Sequence, residues 1–177
     1  MRTVKITADF ADMDRFDKLN TEAFPEQERV PIENFIKMAE EGLLELEAVY
    51  DADSFIGFFA VMVDVSTVYI CFFAVEKSKR SMGYGGKILA LLKERYKNCQ
   101  IVLDLERLDE NAPNNEQRKT RREFYLRNGY HPTGYCMAYF GMEFEVLCSS
   151  PNFDMDDFLR LIKKLRAKKF RPRIFHI

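Results

Sequence analysis

The sequence is poor in metal-binding side chains. It has two histidines, and its four cysteines (Cys71, Cys99, Cys136 and Cys148) form no C-x-x-C pair. No zinc site is expected from such a set. Three of the thiols (Cys71, Cys136, Cys148) lie inside apolar, strand-like runs, so reduced and buried cysteines in a cytoplasmic protein are expected. No apolar stretch approaches the roughly 20 residues that cross a bilayer. The opening run, Met1 to Asp9, has no apolar core of the signal-peptide type, so neither membrane association nor a cleaved leader is expected. The phosphate-binding pattern G-x-x-x-x-G-K-[ST] is missing. The glycines are too few for the dinucleotide pattern G-x-G-x-x-G. No internal repeat and no long linker interrupts the chain.

What is present is a globular composition: 177 residues, 47% hydrophobic, with 16 Phe and 8 Tyr. One domain is expected, with residues 1–150 as its body and 151–177 as a C-terminal helix and basic tail attached to it. The net charge of −1 hides an asymmetry. Lys163, Lys164, Arg166, Lys168, Lys169, Arg171 and Arg173 make 163–177 basic without a single acid, leaving 20 basic and 28 acidic residues elsewhere. The acidic body favours a cationic substrate. The tail reads as a solvated terminal helix, with binding to phosphates, a membrane surface or nucleic acid as its functional alternatives.

Periodicity orders the elements. Strand-like alternation covers 3–8, and helical stripes follow at 13–24 (Phe16, Leu19, Ala23) and from Pro31 to Gly42 (Ile32, Phe35, Ile36, Ala39). Three strands are expected at 44–50, 55–63 and 67–75, the last two apolar throughout, as in strands buried on both faces. A helix at 83–97, a strand at 100–106, a helix at 115–127 ending at Asn128-Gly129, strands at 134–140 and 142–148, and a helix at 154–166 complete the chain. The strand–helix–strand unit at 67–106 predicts a parallel crossover, and the preceding strands predict antiparallel pairing. The expected fold is α/β, a mixed, mostly antiparallel sheet of about six to seven strands flanked by helices on both faces.

The stretch that carries chemistry is Val75-Glu-Lys-Ser-Lys-Arg80-Ser-Met-Gly83-Tyr-Gly85-Gly86. An apolar strand enters a basic, glycine-containing loop that opens directly into an amphipathic helix. The first turn of a helix has unpartnered N–H groups and the positive end of the dipole, which suits an anion. Glycine lets a phosphate approach the backbone closely.

Arg80-Ser-Met-Gly83-Tyr-Gly85 resembles the R/Q-x-x-G-x-G/A signature of the GCN5-related N-acetyltransferases, the GNAT family. A second stretch, Glu123-Phe-Tyr125-Leu-Arg-Asn-Gly129-Tyr130, is similar to that family's F-Y-x-x-x-G-F/Y segment. The resemblance implies the GNAT fold over about 3–148 and acetyl-CoA (coenzyme A) as co-substrate. It implies that the diphosphate rests on the amides of Met82, Gly83, Tyr84, Gly85 and Gly86 beside Arg80. It implies further that the pantetheine arm pairs with Phe73 and Val75, and that Tyr125 protonates the leaving thiolate. Where many family members have asparagine, seven residues before that tyrosine, this chain has Arg118. Arg118, Lys119, Arg121 and Arg122 are then either cofactor-phosphate ligands or an exposed charged helix face.

An acceptor ammonium has to lose a proton before it attacks. Asp104 and Glu106, on one face of the strand at 100–106, and Glu76, just after the preceding strand, are the candidate bases. Phe24, Glu26, Phe35, Tyr135, Tyr139 and Phe140 lie in the segments that form the acceptor pocket in the family, where aromatics either clasp an alkylammonium or fill the core. The expected partner is a small-molecule amine, with a homodimer compatible and nucleic acid not expected. A protein lysine or N-terminus as acceptor, or a non-catalytic coenzyme A-binding regulatory module, are the alternatives.

Overall fold

The computed structural model describes residues 1–166 and 171–177. Its strands are β1 (Arg2–Lys5), β2 (Glu45–Asp51), β3 (Ser54–Asp64), β4 (Thr67–Val75), β5 (Gln100–Glu106), β6 (His131–Tyr139), β7 (Met142–Cys148) and β8 (Arg173–His176). Its helices are α1 (Met13–Ala23), α2 (Ile32–Glu40), α3 (Tyr84–Arg95), α4 (Asn115–Arg127) and α5 (Met155–Arg166). The hydrogen-bonded strand order is β1-β2-β3-β4-β5-β7-β6-β8. This is the mixed, mostly antiparallel sheet the periodicity predicts, with eight strands instead of six to seven. The chain divides into two compact units that share β4: residues 1–63 with 70–92, and 64–69 with 93–177.

In the first unit β1, β2 and β3 pair antiparallel, with a register shift at Val49/Tyr50. Every β3 residue from Phe55 to Val61 is buried, as its unbroken apolar run requires. Gly57 stands in that run because a Cβ there would lie 2.0 Å from the carbonyl oxygen of Ala74 on β4. The core is a phenylalanine cluster. Phe16 of α1 and Phe35 of α2 meet edge to face (5.7 Å between centroids), Phe16 packs on Phe58 of β3 (4.7 Å), and Phe35 packs on Phe72 of β4 (4.9 Å). Phe35, expected as core or acceptor pocket, is fully buried and so belongs to the core, whereas Phe24 is half-buried against Phe72. Gly42, with φ of +68°, ends α2 as expected.

In the second unit, Thr67–Tyr69 of β4 pair in parallel with Gln100–Val102 of β5, the predicted parallel neighbour. β5 pairs antiparallel with β7, and β7 with β6. The β6–β7 turn has positive φ at both Phe140 (+50°) and Gly141 (+76°), the geometry of a two-residue type I′ hairpin. α5 buries Phe158, Leu161 and Ile162. It is fixed at its outer side by Lys164, whose Nζ donates to the buried Asp64 at 2.8 Å, and by Arg160, 3.4 Å from the same carboxylate.

The basic tail does not match the expected solvated helix. Arg173–His176 form β8, antiparallel to β6 with Tyr135 opposite His176 and Ala138 opposite Arg173. Arg173 lies 3.7 Å from Glu143, so Lys164 and Arg173 both have acidic partners. Lys168 and Lys169 lie outside the described residues. Among the described residues no helix is long and apolar enough to cross a membrane. None of the four cysteines is in a disulfide; Cys136 and Cys148 are buried, while Cys71 and Cys99 are half-buried.

Candidate active site

In the first unit, β4 leads through a single 3₁₀ turn at Lys77–Lys79 into the glycine loop. Ser81 (φ +61°) and Gly83 (φ +81°) both take the left-handed conformation, which turns the chain sharply into α3. The space where a Gly83 Cβ would sit has no atom within 4 Å. The N–H of Lys87 bonds the Gly83 carbonyl at 3.1 Å, so the amides of Tyr84, Gly85 and Gly86 precede the helical ladder. Arg80, Ser81, Met82 and Gly83 are exposed. An exposed helix start with spare amides, a dipole and open space before a glycine has the chemistry that suits an anion. Arg80 braces it, its Nε donating to the carbonyl of Val75 at 3.0 Å. Tyr84 is tied back through its hydroxyl to Asp51 (2.8 Å), a bond that raises the phenol's pKa.

Phe73 and Val75 are half-buried on the strand that enters this loop. Glu76 follows and is engaged by Arg15 of α1, whose Nη2 donates to its two oxygens at 3.0 and 3.1 Å and whose Nε donates at 3.3 Å. This pair stands beside a cavity of 460 Å³ also lined by Lys18, Glu22 and Lys77.

In the second unit the predicted acid, Tyr125, is positioned by the way α4 ends. Gly129, at φ +72°, lets its own N–H reach Leu126 (3.0 Å) and the N–H of Tyr130 reach Tyr125 (3.1 Å). These two bonds are the Schellman cap, and its usual apolar contact is made by the Tyr125 and Tyr130 rings, 5.8 Å apart. The capping glycine and the tyrosine four residues earlier are therefore one structural device. Lys93 closes the cap from outside, donating to the carbonyls of Asn128 (2.6 Å) and Gly129 (3.2 Å). Burial, reinforced by the charge of Asp104 and opposed by Arg121, pushes the Tyr125 phenol up to about 12. It holds its proton at neutral pH.

Of the two carboxylates on β5, Glu106 is enclosed by cations. Arg121 donates to it at 2.7 Å, Arg118 lies 3.1 Å away and Asn114 donates at 3.1 Å. Burial works against its charge, but these partners hold its pKa below the ordinary carboxylate range. Asp104 differs: it accepts hydrogen bonds from the Tyr139 hydroxyl (2.5 Å) and the Tyr69 hydroxyl, and burial raises its pKa in spite of both. Sequence reasoning named Asp104 but not this arrangement, because each tyrosine lies 35 residues from it.

The α4 cations Arg118, Lys119, Arg121 and Arg122 are all occupied, Arg121 by Glu106. Arg118 bonds the Arg107 carbonyl (2.7 Å) and Asn114 (2.9 Å), Lys119 bonds Glu116 (2.8 Å), and Arg122 grips Glu145 at 2.7 and 3.1 Å. Arg118, at the position where family members have asparagine, ties the start of α4 to the end of β5.

Residues 44–132, half of the chain and a span that includes both the 80–86 loop and Tyr125, match the family model described as the acetyltransferase (GNAT) domain. The chain belongs to the GNAT acetyltransferase family. Its enzyme class is that of the acyltransferases. It is similar to a protein from Bacteroides thetaiotaomicron assigned to the same family, with 26% identity and a TM-score of 0.76 over 94% of this chain and 97% of that one. It also resembles the aminoglycoside 6′-N-acetyltransferase from Enterococcus faecium, with 16% identity and a TM-score of 0.62 over 87% and 100% of the two chains. An aminoglycoside 6′-N-acetyltransferase solved with coenzyme A has the same identity of 16% and coverages of 87% and 100%, with a TM-score of 0.64. At that identity the likeness is one of fold. No curated protein sequence matches the chain significantly.

Proposed function

We propose that this GNAT protein transfers the acetyl group of acetyl-CoA directly to a primary amine, with a small-molecule amine as acceptor. The observation that carries the proposal is the turn at 80–86, where left-handed Ser81 and Gly83 present the leading amides of α3 to open space. Acetyl-CoA supplies an activated thioester and a diphosphate. Met82, Gly83, Tyr84, Gly85 and Gly86 would hold the diphosphate through their main-chain N–H groups, with Arg80 bracing the loop and adding charge. Phe73 and Val75 would pair with the pantetheine arm as a strand pairs with its neighbour. A main-chain N–H of this segment would stabilise the oxyanion formed when nitrogen adds to the carbonyl. Tyr125, which keeps its proton at neutral pH, would hand it to the departing thiolate.

Three carboxylates are candidates for taking the proton from the acceptor. Glu76 and Glu106 are each engaged by arginine. Asp104 has hydroxyl partners instead.

The acid excess outside the tail favours a cationic acceptor. The fold relatives that act on aminoglycosides support a small amine over a protein lysine. Free thiols suit the cytoplasm. The domain would comprise 1–150, with α5 and the segment after it as an extension. The test is release of free thiol from acetyl-CoA across kanamycin, spermidine, benzylamine and a lysine peptide. Thiol release with one of the first three supports the proposal. Tight acetyl-CoA binding without release for any amine would identify a regulatory binding module instead.

A further inference from the structure

We propose that Tyr139 and Asp104 form a proton relay that deprotonates the acceptor ammonium, with Tyr69 holding Asp104 in place. The inference rests on the amine-acetylation reading above.

The geometry has a closed end and an open end. Tyr69 donates its hydroxyl to Oδ1 of Asp104, and Tyr139 donates to Oδ2 at 2.5 Å, so the carboxylate is held through both oxygens. Tyr69 is 5% exposed and its ring meets Phe158 of α5 edge-on at 5.8 Å, which seals that side. Tyr139 is half-buried. Its ring is stacked on Phe144 of β7 at 4.2 Å and 6°, which fixes the plane of the ring. Tyr139 is thus the more accessible of the two hydroxyl partners, and the proposed proton path to Asp104 runs through it.

The charge environment separates Asp104 from an ordinary structural carboxylate. A carboxylate drawn out of water normally has a cation beside it, and Asp104 is half-buried. Asp104 has no ion-pair partner among the described residues, while Glu106, two residues along β5, has both Arg118 and Arg121. The groups facing Asp104 are Tyr69 from β4, Tyr139 from β6, and Tyr125 from α4, whose phenol also feels Arg121. On β7 its register partner is Val146, and neighbouring Glu145 is turned to Arg122. α5 presents Phe158 behind Tyr69, with Asp157 and Arg160 paired to each other. A carboxylate drawn out of water and held by hydroxyls and its own backbone N–H takes up a proton more readily than one held by arginines.

The proton count closes. The ammonium N–H bond breaks as its proton passes to the Tyr139 oxygen, and the Tyr139 O–H proton moves to Oδ2 of Asp104. The freed nitrogen pair bonds the thioester carbon. As the C–S bond breaks, the thiolate takes the Tyr125 proton, and the second nitrogen proton restores Tyr125. One proton leaves in all, from Asp104 to water.

The test uses the full chain and follows kcat/KM for spermidine, kanamycin and benzylamine against pH, alongside acetyl-CoA affinity by calorimetry. Asp104→Asn is expected to lower kcat/KM at pH 7 by about 100-fold, with activity then rising tenfold per pH unit toward the amine's own pKa. Tyr139→Phe is expected to show the same slope. Tyr69→Phe removes the hydrogen bond that holds Asp104 and is expected to lower kcat/KM while the activity keeps the wild-type slope against pH, since the base and its relay hydroxyl remain. Acetyl-CoA affinity is expected to be unchanged in all three. If Asp104→Asn does not fold, Tyr139→Phe, which removes one hydroxyl from a half-buried ring, carries the same expectation. A wild-type pH profile in both Asp104→Asn and Tyr139→Phe, at any level of activity, overturns the relay while leaving the acetyltransfer reading intact. A wild-type protein that releases no thiol with any amine overturns both.

Discussion

The carbonyl oxygen of Ala74 occupies the place a side chain on Gly57 would need, 2.0 Å from the ideal Cβ position. The obstacle is backbone, which cannot rotate aside. Glu76 is hydrogen-bonded through its N–H to the Ile56 carbonyl at 2.9 Å, so the two strands are held close just where β4 runs out toward the glycine loop. Gly57→Ala is therefore expected to force the strands apart and destabilise the protein by at least about 2 kcal/mol, at the upper end of overpacking effects. Chemical denaturation with linear extrapolation measures this directly, and a loss below about 0.5 kcal/mol would contradict the close approach.

Gly83 presents the opposite case. Its φ of +81° disfavours any side chain, but no atom lies within 4 Å of a Cβ there. Gly83→Ala should cost about 1 kcal/mol of strain and leave the fold intact. Gly83→Glu adds a carboxylate where the cradle would receive a diphosphate. Acetyl-CoA affinity is expected to fall by more than about 100-fold, equivalent to about 2.7 kcal/mol. Calorimetric titration of the two variants separates strain from charge. An unchanged Kd for Gly83→Glu would remove the loop from cofactor binding.

Asp64 links the β3–β4 hairpin to α5, and its pKa is lowered by the Lys164 hydrogen bond, aided by the Val65 N–H and Arg160 and opposed by burial. A carboxyl whose pKa is lower folded than unfolded stabilises the fold above its unfolded value. That contribution is lost as pH falls through the folded value. Asp64→Asn is expected to lower stability by about 1 kcal/mol at pH 7, since its cationic partners are half exposed. The gap between wild type and variant should close as pH drops below about 4. Denaturation midpoints at pH 7, 5 and 3 test the trend; a gap that widens with acid would contradict it.

Sequence legibility followed range along the chain. β5 at 100–106 and α4 at 115–127 fall where periodicity places them, because alternation and the Asn128-Gly129 stop are local signals. The 80–86 loop was equally visible, since its glycines, bases and helix start are consecutive. β8 was not visible: four residues after Pro172 carry little pattern, and their partner strand lies well upstream. The Tyr69–Asp104–Tyr139 contact joins three strands, and the Arg15–Glu76 pair spans 61 residues. Nothing local marks such partners. Gly57 has no local signal either, because the constraint on it comes from Ala74 on the neighbouring strand.

Tyr125 is where local signal and long-range packing meet. The Schellman cap at Gly129 sets its ring against Tyr130, while burial and Asp104 keep the phenol protonated to about pH 12. If it supplies the thiolate proton, Tyr125→Phe should lower kcat by about 100-fold or more with acetyl-CoA affinity unchanged, because the hydroxyl acts only as the C–S bond breaks. The ring contact with Tyr130 survives in the variant, so stability should stay within about 0.5 kcal/mol. Since the phenol titrates near 12, the wild-type rate should show no decline attributable to Tyr125 below about pH 10. Steady-state thiol release from pH 6 to 10, with calorimetric acetyl-CoA binding, tests all three expectations. Equal turnover in the variant would require another proton donor. A loss of acetyl-CoA affinity that matched the loss of turnover would make Tyr125 a binding residue rather than an acid.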